Sequence, residues 1–260
     1  MKVKNLLAII WILEVFAVLL AFILLPSSDY MEMSFSEKIN KGYSTQILIN
    51  GDSIGGIQKE GEWGDLFKEK LEENYNSRIE INNISKPGNS TFAGIVSWEM
   101  LSDTQKKFSD LIILCYGQND SADNSFEINY EALIRNTILG NSNAEILVIL
   151  ESSQKGYTEK IKTIIELCKC YDIPYVDMIK EFNMSGYTYG ELSDDGIHPN
   201  DLGKKIYANA VYDTVVNEFL EKQNVLDFKG ERPKKRNAKN PKAKQFENCH
   251  YISANKMKIE

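Results

Sequence analysis

The sequence predicts an α/β fold, a three-layer α/β/α arrangement around a five-stranded parallel sheet, preceded by one transmembrane helix. Three observations carry that reading. From residue 45 onward, short apolar runs alternate with segments whose apolar residues recur at helical spacing. The runs are apolar on both faces, as strands covered on both sides must be. Residues 6–25 are apolar throughout except for Glu14.

Met1-Lys2-Val3-Lys4-Asn5 forms a short basic head before that apolar segment. A segment of twenty residues matches the hydrocarbon thickness of a bilayer. Glu14 is unfavourable there by roughly 3 kcal/mol, but each Leu, Ile, Val or Phe returns about 0.3–0.6 kcal/mol. The segment is longer than a signal-peptide core, and no A-x-A site follows it, so an uncleaved signal anchor is expected. The lysines before it place the head in the cytoplasm and the rest of the chain outside the cytoplasmic membrane. Glu14 reads either as a tolerated charge or as a contact with another membrane helix. The expected organisation is therefore a head and anchor over 1–28, a linker over 29–44, the α/β domain over 45–224, and a basic linker with a C-terminal tail over 225–260.

Within the domain, Thr45–Asn50 reads as the first strand. Trp63–Asn74 follows as a helix with Trp63, Leu66, Phe67 and Leu71 on one stripe. Arg78–Ile84 is strand-like. Thr91–Leu101 is helical through Phe92, Ile95, Val96 and Met100. Asp110–Tyr116 is a buried strand, Ile128–Leu139 a helix and Glu145–Leu150 another buried strand. Thr158–Tyr171 is helical, Pro174–Asp177 a short strand, and Asp201–Lys222 a long terminal helix. Strands separated by helices pair in parallel through crossover connections. The tail carries a basic, Pro-containing stretch, Lys229–Lys244, that reads as a solvated linker, or as a contact with an anionic polymer or lipid.

Composition narrows the function. A formal net charge of -7 argues against nucleic-acid binding, because phosphates would repel the chain. The four cysteines show neither a metal spacing nor a disulfide framework, and buried thiols are the expectation. No metal or organic cofactor is implied.

The chemistry sits at strand ends. Ile47-Leu48-Ile49 runs into Gly51-Asp52-Ser53, a turn presenting a serine hydroxyl. A second strand ends in Gly117-Gln118-Asn119-Asp120. One of only two histidines lies in Asp195-Gly196-Ile197-His198. An imidazole three residues after a carboxylate can act as a base whose tautomer the carboxylate fixes. Nucleophile, amide donor and base–orienter pair are the components of serine acyl transfer. Taken singly, each has a structural reading: Ser53 as a helix cap, Asn119 and Asp120 as turn formers, Asp195-Gly196 as a turn. Asp194 rivals Asp195 but lacks the three-residue offset, and His250 lies in the tail. Asp52 reads as structural, and Trp63 as core or cleft lining.

At these residues the chain resembles the SGNH hydrolases, or GDSL-type esterases, over roughly residues 45–222. Gly51-Asp52-Ser53 is similar to their first block, Gly117-Gln118-Asn119-Asp120 to the third, and Asp195-Gly196-Ile197-His198 to the fifth. Gly88 fits the second block, with Gly94 a weaker alternative. The resemblance implies a flavodoxin-like fold and a catalytic triad of Ser53, His198 and Asp195. It implies an oxyanion hole from the Ser53 and Gly88 backbone N–H groups and the Asn119 side chain. The anchor adds an expected substrate class, O-acetyl groups on an extracytoplasmic carbohydrate. Relatives with similar anchors include polysaccharide O-acetyltransferases, which would require a multi-pass partner delivering the acyl donor. A non-catalytic binding relic of the fold is the remaining alternative.

Overall fold

A computed structural model describes residues 33–56 and 60–221. The expected anchor over 6–25 and the tail over 225–260, His250 included, lie outside the described residues. Among the described residues, no helix is long and apolar enough to cross a membrane.

Five strands form one parallel sheet: β1 (Thr45–Gly51), β2 (Ile79–Asn83), β3 (Leu111–Cys115), β4 (Glu145–Leu150) and β5 (Tyr175–Asp177), in the order β2-β1-β3-β4-β5. The order reverses between β1 and β3. That switch point opens a crevice beyond the carboxyl ends of the strands, where ligands bind in open α/β sheets.

The two-residue period of a strand divides its side chains between two cores. Ile47, Ile49, Leu111, Ile113, Leu147 and Ile149 face one layer. There they meet α1 (Phe35–Asn40), α2 (Trp63–Asn74), α7 (Met178–Met184) and α9 (Asp201–Val215). Leu48, Ile112, Leu114, Ile146, Val148 and Leu150 face the other. That layer holds α3 (Thr91–Glu99), α5 (Asn124–Gly140) and α6 (Glu159–Tyr171). Short helices α4 (Asp103–Phe108) and α8 (Tyr189–Leu192) complete the elements, and α9 runs into a π-helical turn, Val216–Glu221.

Every strand and helix expected within the α/β domain is present, with edges shifted by a few residues. The largest shift is in α5, which starts at Asn124 because Asp123 caps it through a bond from the Ser125 N–H at 2.9 Å. The expected linker over 29–44 is not all linker. Its stretch Phe35–Asn40 is a helix with a capping box at Ser34 and Glu37. Phe35 and Ile39 are buried in the core beside Phe219. Cysteine use also differs: Cys115 and Cys168 are free and buried as expected, but Cys170 is disulfide-bonded.

Lys38 of α1 reaches Asp110, just before β3, at 2.5 Å, and both side chains are under a tenth exposed. The second Asp110 oxygen accepts the Gln46 N–H at 2.8 Å. Burial pushes the Asp110 carboxyl up, while Gln46 and Lys38 pull it back. Removing one partner strands a buried charge. Asp110→Ala is expected to lower unfolding free energy by about 3–5 kcal/mol. Urea titration checks this; a loss under about 1 kcal/mol would mean that the pair is dispensable.

Candidate active site

The turn after β1 begins with a carboxylate folded under the chain. Asp52 is fully buried, and its Oδ1 accepts the Ile54 N–H at 2.8 Å. This bond bends the backbone so that Ser53 emerges at the crevice. The Trp63 indole, also fully buried, donates to the Ile54 carbonyl at 2.8 Å and holds the turn from below. Trp63 is thus a core residue that braces the candidate nucleophile, and it does not line the cleft.

His198 arrives from the far end of the chain. Asn200 caps α9 through the Leu202 and Gly203 N–H groups and so fixes where the preceding loop ends. In that loop, Asp195 Oδ1 accepts the N–H groups of Ile197 at 2.9 Å and His198 at 2.8 Å. The tight turn brings Asp195 Oδ2 within 2.6 Å of His198 Nδ1. The His198 ring first, then these two N–H groups, holds the Asp195 carboxyl well below the usual carboxylate range. With its proton on Nδ1, the imidazole offers Nε2 as an acceptor, and the Ser53 hydroxyl donates to it at 2.9 Å. Residues 145 positions apart in sequence therefore meet at one rim. Asp194 has a different task, accepting from the Asn200 amide at 2.9 Å.

Gly88 and Asn119 flank the serine from neighbouring loops. Gly88 has φ +77°, a left-handed conformation that glycine adopts without strain. A side chain there would meet open space, so the backbone shape and not crowding requires glycine. Gly94, the alternative, is inside α3, where an added Cβ would lie 2.6 Å from the Tyr116 ring. Its role is packing. Asp120 ties the two loops together by accepting from the Thr91 N–H at 3.0 Å and the Thr91 hydroxyl at 2.9 Å.

Among the described residues, the Ser53 and Gly88 N–H groups have no protein acceptor. The Asn119 amide does: its Nδ2 donates to Asp52 Oδ2 at 3.0 Å and to the Asn89 carbonyl at 3.1 Å. The second of these bonds must yield if the amide is to serve a ligand.

A cleft of about 370 Å³ adjoins this rim, lined by Gln118, Ser153, Gln154, Lys155, Gly196 and Ile197 among others. Its lining also includes a group that sequence reasoning missed. Glu151, the residue after β4, is buried beside Asp52, and its Oε2 accepts the Gln118 N–H at 2.8 Å. The one signal for it was its position, since it follows an apolar strand as Asp52 does. Among the described residues, no group of His, Cys, Asp and Glu is placed to hold a metal ion.

The fold has counterparts in known proteins. The model of the GDSL-like Lipase/Acylhydrolase family matches residues 49–206, more than half of the chain. Among solved structures, the chain is similar to a two-domain esterase (CEX) active on acetylated mannans, at TM-score 0.61 and 20% identity. That match covers 70% of this chain and 51% of the other, so this chain spans about half the length of that relative. It is also similar to the acetyl xylan esterase AlAXEase (TM-score 0.56, 21% identity, 65% and 99% covered). A third is Axe2, an acetylxylan esterase from Geobacillus stearothermophilus (TM-score 0.53, 20% identity, 70% and 99% covered). At such identities these likenesses show the shared fold. No curated protein matches the chain.

Proposed function

The chain belongs to the GDSL-like lipase/acylhydrolase family and is an ester hydrolase, and from that premise we propose that it removes O-acetyl groups from a carbohydrate through an acyl-Ser53 intermediate. The observation that carries the reading is the unbroken relay Asp195–His198–Ser53, with contacts of 2.6 and 2.9 Å. Ser53 Oγ attacks the ester carbonyl as His198 Nε2 takes its proton. Asp195 keeps the ring in the tautomer that can accept that proton and stabilises the imidazolium formed. The carbonyl oxygen, now anionic, is held by the Ser53 and Gly88 N–H groups and by the Asn119 amide turned from Asn89. His198 returns the proton to the departing sugar hydroxyl. Water then repeats the sequence on the acyl-serine and frees the acid.

Three features support a small acyl group on a polar polymer. The site is shallow: the His198 and Asp195 side chains are about half exposed. The adjoining cleft mixes apolar side chains with Gln118, Ser153, Gln154 and Lys155, whose polar groups suit sugar hydroxyls. Solved structures with the same fold are described as active on acetylated mannans and as acetyl xylan esterases. The apolar segment 6–25 adds the proposal that the domain is tethered on the outer side of the cytoplasmic membrane, where such polymers are met.

The test uses aryl esters of increasing acyl length and acetylated polysaccharide. Acetyl esters are expected to turn over at least about tenfold faster than octanoyl esters, as a pocket that excludes the longer chain would give, and acetylated mannan or xylan is expected to release acetate. A preference for octanoyl esters with no acetate released would overturn the substrate assignment. Excess sugar added as acceptor tests transfer: acetylated sugar formed in place of acetate would make the protein a transferase.

A further inference from the structure

Asp52 and Glu151 lie under the proposed active site, on either side of β3, and touch neither the Ser53 hydroxyl nor the His198 ring through a hydrogen bond. Asp52 leaves the end of β1 and Glu151 the end of β4, and the two carboxyls hydrogen-bond each other. Every other bond they make is accounted for. Asp52 accepts from the Ile54 N–H and the Asn119 amide, one on each oxygen. Glu151 accepts from the Gln118 N–H on Oε2 and from the Cys115 thiol on Oε1, at 3.6 Å. Two buried carboxyls in contact cannot both ionise, so they hold one proton between them. Both Asp52 oxygens already face N–H donors, which favours its ionised form. The proton therefore resides on Glu151, which donates it to Asp52. Burial pushes Glu151 well above the usual range and Asp52 up to about 6.

Two successive residues of one loop thus end on this pair, Gln118 by its backbone and Asn119 by its side chain. We propose that Asp52 and Glu151 act as one proton-sharing unit that fixes the Gln118–Asn119 loop, making both of them positioning residues for the oxyanion amide. This inference rests on the esterase reading above. Asp52 sets the amide directly, and Glu151 acts through it and through Gln118. The ionisable groups facing the pair are Cys115 of β3 and Tyr116 just after it, Asp120 of the same loop, His198 of the rim, Tyr130 of α5 and Tyr207 of α9. From α6, Lys160 holds the loop's other carbonyls, those of Gly117 at 2.6 Å and Asp120 at 2.7 Å. No cation contacts either carboxyl among the described residues, so the shared proton is what neutralises the pair's second charge.

The sign of the pH effect follows. The unfolded chain releases both protons in the ordinary carboxylate range, near 4. The folded pair keeps one until higher pH. Between those limits the unfolded state binds fewer protons, so stability falls as pH rises. Losing the last proton sets two negative charges against each other and frees the loop.

The full-length protein with Glu151→Gln and Glu151→Ala tests the proposal, with an aryl acetate as substrate. Gln keeps the shape, donates to Asp52 and accepts from Gln118. It is expected to retain kcat within about threefold and to show a shallower fall of both Tm and kcat on the alkaline side than the wild type. Ala removes both links and is expected to lower kcat by about 10- to 100-fold with KM little changed, as a misplaced catalytic amide would. A folded Glu151→Ala protein with wild-type kcat overturns the proposal. Superimposable pH profiles of kcat for the wild type and Glu151→Gln also overturn it, and this decides the matter if the Ala variant does not fold. Failure of the esterase reading is distinguishable, because it would appear as turnover that survives loss of Ser53.

Discussion

Replacing Ser53 by alanine is expected to lower kcat for an aryl acetate by about 10⁴- to 10⁶-fold, as loss of a triad nucleophile does. The variant should fold normally. Among the described residues, Ser53 Oγ makes one hydrogen bond, to His198 across an exposed rim, and no core contact depends on it. The brace beneath it, from Asp52 and Trp63, uses backbone groups that alanine retains. His198→Ala is expected to act nearly as strongly, because hydroxyl and imidazole work as one unit. The two changes together should cost little more than either alone. Steady-state turnover with a thermal melt as control checks this, and unchanged turnover in Ser53→Ala would remove the mechanism.

Asn119→Ala is expected to lower kcat by about 10²- to 10³-fold, equivalent to about 2.7–4 kcal/mol of transition-state stabilisation. KM should change little, since the amide meets negative charge only as the tetrahedral species forms. In the resting structure that amide is shared between Asp52 and the Asn89 carbonyl. Alanine therefore also leaves Asp52 Oδ2 with one donor fewer. A rise in KM with kcat preserved would mean that Asn119 binds the ground state and does not serve the oxyanion.

The sheet was legible because its three central strands are buried on both sides. Leu111–Cys115 and Glu145–Leu150 carry uninterrupted apolar runs that a half-exposed strand would not. The relay was legible for a local reason at each end: Ser53 sits where an apolar run stops, and Asp195 stands one tight turn before His198. Their meeting was a topological inference, and parallel connections carry both to the same edge of the sheet. Helix α1 was not legible. Six residues with two apolar side chains give no period, and its Lys38 finds Asp110 only across 72 positions. Gly88 was legible only through its block, and its left-handed backbone angle, invisible in sequence, is what selects glycine there. Glu151 escaped because its one signal, a place just after an apolar strand, is shared by many solvated acids. An acid after a strand reads as solvated unless the next strand ends are considered together. Asp52 was seen as structural, but its contact with Asn119 links it to the site.

The most direct measurement is covalent trapping of the intact protein by a fluorophosphonate, a tetrahedral reagent that reacts only with an activated hydroxyl. Peptide mass mapping is expected to place one phosphonyl group on Ser53, and His198→Ala should abolish the labelling. A protein that hydrolyses esters while Ser53 stays unlabelled, or that is labelled equally well without His198, would contradict the account.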